Sequence, residues 1–275
     1  MSTPSLAHRY RTALVTGAGA GLGREFARML LAAGVEVWGT SRRPETLPAA
    51  PRFHPVAFDL AAGDRAAEAL VAAVEREAAG LDLLVHNAGY GLFGGLLERP
   101  GELWRAQLDE MLGVSLALNR AVWAAMAPRR RGAIVNVTSM AVEFPIPYLA
   151  GYNIAKAGLA ALSESLMLEG SRAGITVVDF RPGDYRTGFN QTMFAALPET
   201  LPPAQQRVAR RLDATLAAAP RAERAARDLH RALRRGRSGV VRSGSFFQTV
   251  LAPLGARLAP SWLRRAVQAR YFGVS

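Results

Sequence analysis

Short apolar runs alternate with longer stretches in which apolar positions recur every three to four residues, from near the N-terminus to about residue 180. The runs Thr12–Thr16, Val35–Thr40, His54–Phe58, Leu81–His86, Ala133–Thr138 and Ile175–Phe180 predict strands, being short and rich in β-branched residues. Between them, Gly21–Ala33, Asp64–Ala79, Glu102–Met126 and Gly151–Gly170 carry the helical period. This β-α-β-α order, with largely apolar strands, predicts an α/β fold: a doubly wound parallel sheet covered on both faces. A last strand is expected near Ser238–Arg242. Residues 185–220 break the alternation, and Pro198, Pro202 and Pro203 predict a loop-and-short-helix excursion there. In such a sheet ligands bind at the carboxyl ends of the strands, so the excursion is expected to act as a substrate lid. The expected organisation is a single domain over residues 1–244, followed by a helical extension over 245–275.

Composition narrows the class. A chain of 275 residues, half of them hydrophobic, can bury a large core and is not disordered. It has no cysteine, which excludes disulfides and thiolate chemistry, and four scattered histidines predict no metal site. The opening MSTPSLAHRYR has no apolar core of signal-peptide length, and no run of 18 apolar residues occurs. A cytoplasmic location is the resulting expectation. The net charge of +12 is uneven: residues 1–200 hold 19 basic and 19 acidic residues, whereas residues 201–275 hold 15 arginines against Asp213, Glu223 and Asp228. A basic final quarter fits either a solvated arginine-rich face or an acidic partner approached from one side. No nucleic-acid recognition pattern accompanies it, so nucleic acid is not expected as a partner.

Candidate chemistry begins at Lys156, the only lysine in the chain. It lies four residues after Tyr152 on the Gly151–Gly170 helix, so the two side chains share one face. An ammonium beside a phenol is expected to lower the phenol's pKa toward neutrality and make Tyr152 a proton donor and acceptor. Earlier in the chain, Thr16-Gly17-Ala18-Gly19-Ala20-Gly21-Leu22-Gly23 joins the first strand to the first helix. Glycines there let the backbone approach a pyrophosphate at the helix N-terminus. The second strand ends in Thr40-Ser41-Arg42-Arg43 where an acid would favour NAD; a hydroxyl and guanidiniums suit a 2′-phosphate, so NADP(H) is expected over NAD(H). Glu36, the nearest acid, lies early in that strand.

With Gly17, Gly21, Gly23, Tyr152 and Lys156 in register, the chain resembles the classical short-chain dehydrogenase/reductase family, over about residues 10–187. Further pieces carry the resemblance: Asp59-Leu60 after the third strand, Asn87-Ala88-Gly89 after the fourth, Ser139 thirteen residues before Tyr152, and Pro182-Gly183-Asp184-Tyr185-Arg186-Thr187. The resemblance implies a Rossmann-type fold and an NADP(H)-dependent oxidoreductase interconverting a carbonyl and an alcohol. Tyr152 would be the acid/base and Ser139 would hydrogen-bond the substrate oxygen. Lys156 would lower the Tyr152 pKa and bind the nicotinamide ribose. Leu22 with the three glycines, Ser41 and Arg42, Asp59 and Leu60, Asn87 to Gly89, and Pro182, Gly183 and Thr187 would hold the cofactor.

Two positions depart from the family. Its catalytic asparagine, seven residues after a tryptophan, falls on Met111 counting from Trp104, and a methionine cannot anchor the water of a proton relay. Ser115, one turn on, is the nearest hydroxyl substitute. His86 stands where many relatives have an asparagine, and a lone strand-end histidine is expected to be a satisfied core residue. Met111 motivates an alternative function, a nucleotide-binding sensor or scaffold with little turnover. Phe93, Phe144 and Tyr148 are expected to line an apolar pocket for a lipid, steroid-like or polyketide carbonyl. In the tail, Phe247, Val250, Leu251, Leu254 and Leu258, then Leu263, Val267 and Tyr271, recur at helical spacing with arginines interleaved. Packing on the chain's own domain or on a second subunit is the simplest explanation; an anionic membrane surface or an acidic carrier protein are the others.

Overall fold

The computed structural model describes residues 6–194 and 201–274; the opening five residues, Ser275 and residues 195–200, with Pro198 of the expected excursion, lie outside the described residues. The strands are β1 (Thr12–Val15), β2 (Glu36–Ser41), β3 (Phe53–Ala57), β4 (Leu83–His86), β5 (Gly132–Val137), β6 (Ile175–Pro182) and β7 (Gly239–Ser243). They form one sheet in the order β3-β2-β1-β4-β5-β6-β7. Every pairing is parallel, with Leu14 opposite Trp38 on one side and Leu84 on the other. The strand order reverses between β1 and β4, and a crevice opens there at the carboxyl ends.

Helices cover both faces because the strand side chains alternate between them. Val15, Val37, Val85, Val135 and Phe180 face one layer, built from α2 (Gly21–Ala32) and α9 (Glu223–Arg235). Leu14, Trp38, Leu84, Ile134 and Val177 face the other, built from α3 (Gly63–Glu77), α5 (Val114–Met126) and α6 (Ala150–Ala173). Helix α9 was not legible in the periodicity, because five arginines dilute its stripe; Ala225, Ala226, Leu229, Ala232 and Leu233 are nonetheless buried, and the helix packs on α2. A one-turn helix α1 (Leu6–Arg9) precedes β1.

The single helix expected over Glu102–Met126 is instead α4 (Gly101–Leu108), a wider π-type turn over Asp109–Gly113, and α5. The Ser115 hydroxyl donates to the Met111 carbonyl at 2.5 Å, so a side chain enters the backbone ladder where the helix widens. The excursion contains α7 (Phe189–Phe194) and α8 (Pro203–Ala217), and the tail forms α10 (Ala252–Leu258) and α11 (Ser261–Phe272). Of these, α7, α8 and α11 meet over the crevice in a third apolar cluster that includes Met111, Leu149, Tyr152, Met193, Leu212 and Phe272.

Candidate active site

The β1–α2 turn is held from two sides. The Gly17 amide donates to the Thr40 hydroxyl at 3.1 Å, and the Ala18 amide to the Thr40 carbonyl at 2.8 Å. From the β4 side, the Asn87 and Ala88 amides donate to the Thr16 hydroxyl at 2.9 and 3.0 Å, and the Asn87 side chain donates to the Thr16 carbonyl at 3.1 Å. Asn87 is thus a brace between two turns. Gly17 takes φ of 69°, which favours glycine. A Cβ on Gly23 would lie 2.2 Å from the Gly17 carbonyl oxygen, so only glycine lets α2 start this close to the turn. No side chain caps α2 at Ala20, which leaves its first amides for a ligand.

One cavity of about 1250 Å³ extends from this turn to Lys156 and beyond. That exceeds the roughly 300–1,000 Å³ of an ordinary small-molecule site and leaves room for a dinucleotide beside a second ligand. Every expected cofactor residue except Gly23 lines it, and Gly23 acts from behind, through the turn. Ser41, Arg42 and Arg43 stand at its outer end. Among the described residues, neither arginine is paired with a carboxylate. Glu36 does not reach the cavity, and it bonds His54 at 2.8 Å. Asp59 accepts from the Ala61 amide at 3.2 Å and so shapes the turn that presents Leu60.

The three candidate catalytic residues converge on the inner end. Ser139 closes β5, accepts from the Ala141 amide at 3.0 Å, and hydrogen-bonds the Tyr152 phenol. It therefore satisfies its own backbone and reaches Tyr152 as well. Lys156 is buried; its Nζ donates to the Val137 carbonyl at 2.7 Å and lies 5.8 Å from the centre of the Tyr152 ring. Burial lowers the Lys156 pKa to about 8, against the opposing pull of Asp179. The expected lowering of the Tyr152 pKa is not found. Burial raises it, the Ser139 hydrogen bond offsets this in part, and the Asp184 charge adds to the rise. The Lys156 ammonium is directed at a backbone carbonyl instead, and desolvation of the phenolate dominates.

Met111 is buried, with its Cε 3.0 Å from where a Cβ on Gly89 would stand. Behind it runs a buried polar chain that sequence patterns did not reveal. His86 bonds the Thr16 hydroxyl through Nδ1 at 3.1 Å and the Ser115 hydroxyl through Nε2 at 2.6 Å. Because Ser115 donates onward to the Met111 carbonyl, Nε2 carries the proton and donates. Burial, reinforced by Lys156, depresses the His86 pKa to about 3, so the ring is neutral. Asn119 donates to the Ser115 carbonyl at 2.8 Å and exchanges two hydrogen bonds with Asn136, which donates to Ser163. His86 is a satisfied core residue, as expected.

Phe144 lines the cavity; Phe93 and Tyr148 do not. Phe93 is fully buried, its ring 5.7 Å from Tyr148 and 5.4 Å from Phe194, because the segment after Gly89 tucks it beneath the excursion. Phe189 stands instead against Tyr152, ring centres 5.6 Å apart. The tail also contributes: Gln248 donates to Asp184, which Tyr271 hydrogen-bonds too, tying the extension to the Pro182-Gly183 turn. Gln248 was the available signal, a lone amide within the otherwise apolar stretch Phe246–Leu251 that also holds Thr249.

The sheet, its switch-point crevice and the glycine turn define a nucleotide-binding Rossmann-type protein. The family model of the short chain dehydrogenases matches residues 11–198, and the chain belongs to that family of oxidoreductases. It is 34% identical over 197 residues to an uncharacterized oxidoreductase of Myxococcus xanthus, covering 69% of this chain and 78% of the relative. It is also 34% identical over 176 residues to a 3-ketodihydrosphingosine reductase of Bacteroides thetaiotaomicron, covering 64% of each. An actinorhodin polyketide ketoreductase solved with NADPH superposes with a TM-score of 0.72 at 26% identity, over 85% of this chain and 95% of that one.

Proposed function

We propose that this protein is an NADPH-dependent reductase that interconverts an apolar ketone or aldehyde and its alcohol. The observation that carries the reading is the convergence of Ser139, Tyr152 and Lys156 on the inner end of a cavity whose outer end carries Arg42. Gly17, Gly21, Leu22 and Gly23 would hold the pyrophosphate, and Ser41 and Arg42 the 2′-phosphate. Asp59 and Leu60 would meet the adenine, and Asn87 to Gly89 with Pro182, Gly183 and Thr187 the remainder. The uncapped amides of α2 and the glycine cradle fit an anionic dinucleotide. When bound, the reduced cofactor supplies hydride to the carbonyl carbon.

The chain's own residues handle the proton. Tyr152, held protonated by burial, donates its phenolic proton to the substrate oxygen as negative charge develops there. Ser139 hydrogen-bonds the same oxygen and stabilises that charge in a site shielded from water. Lys156, cationic below pH about 8 and held by the Val137 carbonyl, would bind the nicotinamide ribose. Leu149, Met193, Leu212 and Leu216 give the cavity apolar walls that exclude water and suit a bulky apolar substrate. The reading draws support from relatives named as a sphingoid-base ketone reductase and a polyketide ketoreductase.

NADPH consumption across a panel of ketones and aldehydes, with NADPH and NADH titrations, tests it. Tyr152→Phe is expected to lower turnover about 10²–10⁴-fold while NADPH affinity holds. Turnover undiminished in Tyr152→Phe overturns the mechanism. Tight NADPH binding with no consumption of any carbonyl favours the sensor reading that Met111 motivates.

A further inference from the structure

We infer that the C-terminal helix pair seats the protein on an anionic lipid bilayer. The helices have two apolar faces. Leu251, Gly255, Leu263, Val267 and Tyr271 form part of the cavity wall. Phe246, Val250, Leu254, Leu258 and Trp262 recur every fourth residue, line no part of the cavity, and are 64, 44, 54, 80 and 65% exposed. Phe246 to Leu258 lie four apart on one continuous run through a π-type turn (Phe247–Leu251) and α10, so those four form an exposed stripe. Trp262 adds an exposed apolar ring at the start of α11, beyond the break at Ala259 and Pro260. Every residue from Ser261 to Val267 is exposed, and the extension is held by the buried Phe272, the buried Pro253, the Gln248–Asp184 bond and a 2.5 Å bond from Gln268 to the Pro145 carbonyl.

Charge selects the occupant. Residues 245–275 contain Arg257, Arg264, Arg265 and Arg270 and no acidic residue. A second copy pairing through this face would set those arginines against themselves, because a twofold interface brings the same patch to both sides. An anionic headgroup layer is complementary to them, while the stripe enters the acyl boundary beneath. Trp262, an apolar ring with one polar N–H, suits that boundary. Among the described residues no helix is long and apolar enough to cross a membrane, so the attachment is peripheral.

The geometry has a functional corollary that rests on the carbonyl-reduction reading. The helices touching lipid are the same ones that wall the cavity, so docking would bring the substrate site to within one helix layer of the bilayer that holds a lipid-soluble carbonyl.

Co-sedimentation of the full chain with phosphatidylcholine vesicles, with and without phosphatidylglycerol, tests the docking. The expected result is binding to the anionic vesicles only, lost at high salt. Leu258→Glu combined with Trp262→Glu is expected to lower the bound fraction at least about tenfold without changing the melting temperature, since both side chains lie outside the core and the cavity. Arg265→Glu with Arg270→Glu is expected to do the same on anionic vesicles. No sedimentation, equal sedimentation with neutral vesicles, or unimpaired binding by the Leu258/Trp262 variant overturns the proposal. So does a wild-type dimer in solution that the same variant splits. Docking without consumption of any carbonyl sinks the reductase reading and leaves the docking intact.

Discussion

The two ends of the crevice are built in different ways. At the cofactor end the shape is made by backbone: amides and carbonyls of β1, β2 and β4 bond one another, and glycine marks where chains approach. At the substrate end the shape is made by side chains from α6, α7, α8, α10 and α11, which come together only in the tertiary fold. A backbone site constrains residue types tightly, at fixed spacing. A side-chain site tolerates any apolar residue of suitable size, which lets related chains change substrate on a shared cofactor frame.

The comparison predicts that small changes act most strongly at the cofactor end. Gly23→Ala places a Cβ 2.2 Å from the Gly17 oxygen, where backbone must move. It is expected to reduce stability by about 3 kcal/mol and to abolish detectable NADPH binding, read by thermal unfolding and titration. An alanine that left both unchanged breaks the distinction. Arg42→Ala removes a side chain and leaves the backbone frame intact. NADPH affinity is expected to fall about tenfold to a hundredfold, with NADH affinity unchanged within about twofold. Equal losses for both cofactors would move the 2′-phosphate contact elsewhere.

The smallest effect comes from pH. Burial lowers the pKa of Lys156 from 10.5 to about 8, so its charge is present below that value and lost above it. Reduction that uses the cation is therefore expected to fall tenfold per unit as pH rises beyond about 8, with a plateau below. A kcat/KM profile flat to pH 10 separates the ammonium from the chemistry.

What was legible in the sequence follows the same division. The succession of strands and helices, the glycine turn, Asn87 to Gly89 and the Ser139–Tyr152–Lys156 spacing could be read because each is local or fixed by backbone geometry. Phe93 was misassigned to the pocket because an aromatic side chain carries no record of which side of its segment faces the cavity. The direction of the Tyr152 shift was misread because helical spacing reports which face Lys156 shares, whereas the Val137 carbonyl that captures its ammonium comes from another element. Helix α9 escaped because its arginines mask a stripe of small residues that pack well only against α2. The Asn119–Asn136 pair joins residues from a helix and a strand, and no pattern within either segment foretells it.

The widened turn at Met111 bears on how this lineage can have changed. The carbonyl of Met111, the hydroxyl of Ser115 and the ring of His86 stand in a single donor–acceptor order, which the Thr16 hydroxyl continues on the far side of the ring. Exchanging Ser115 alone leaves the His86 Nε2 proton without its acceptor, whereas Met111 contributes only a backbone carbonyl and can change without breaking the chain. The heritable character is the His86–Ser115 pair, and relatives are best sorted by whether they carry both or neither.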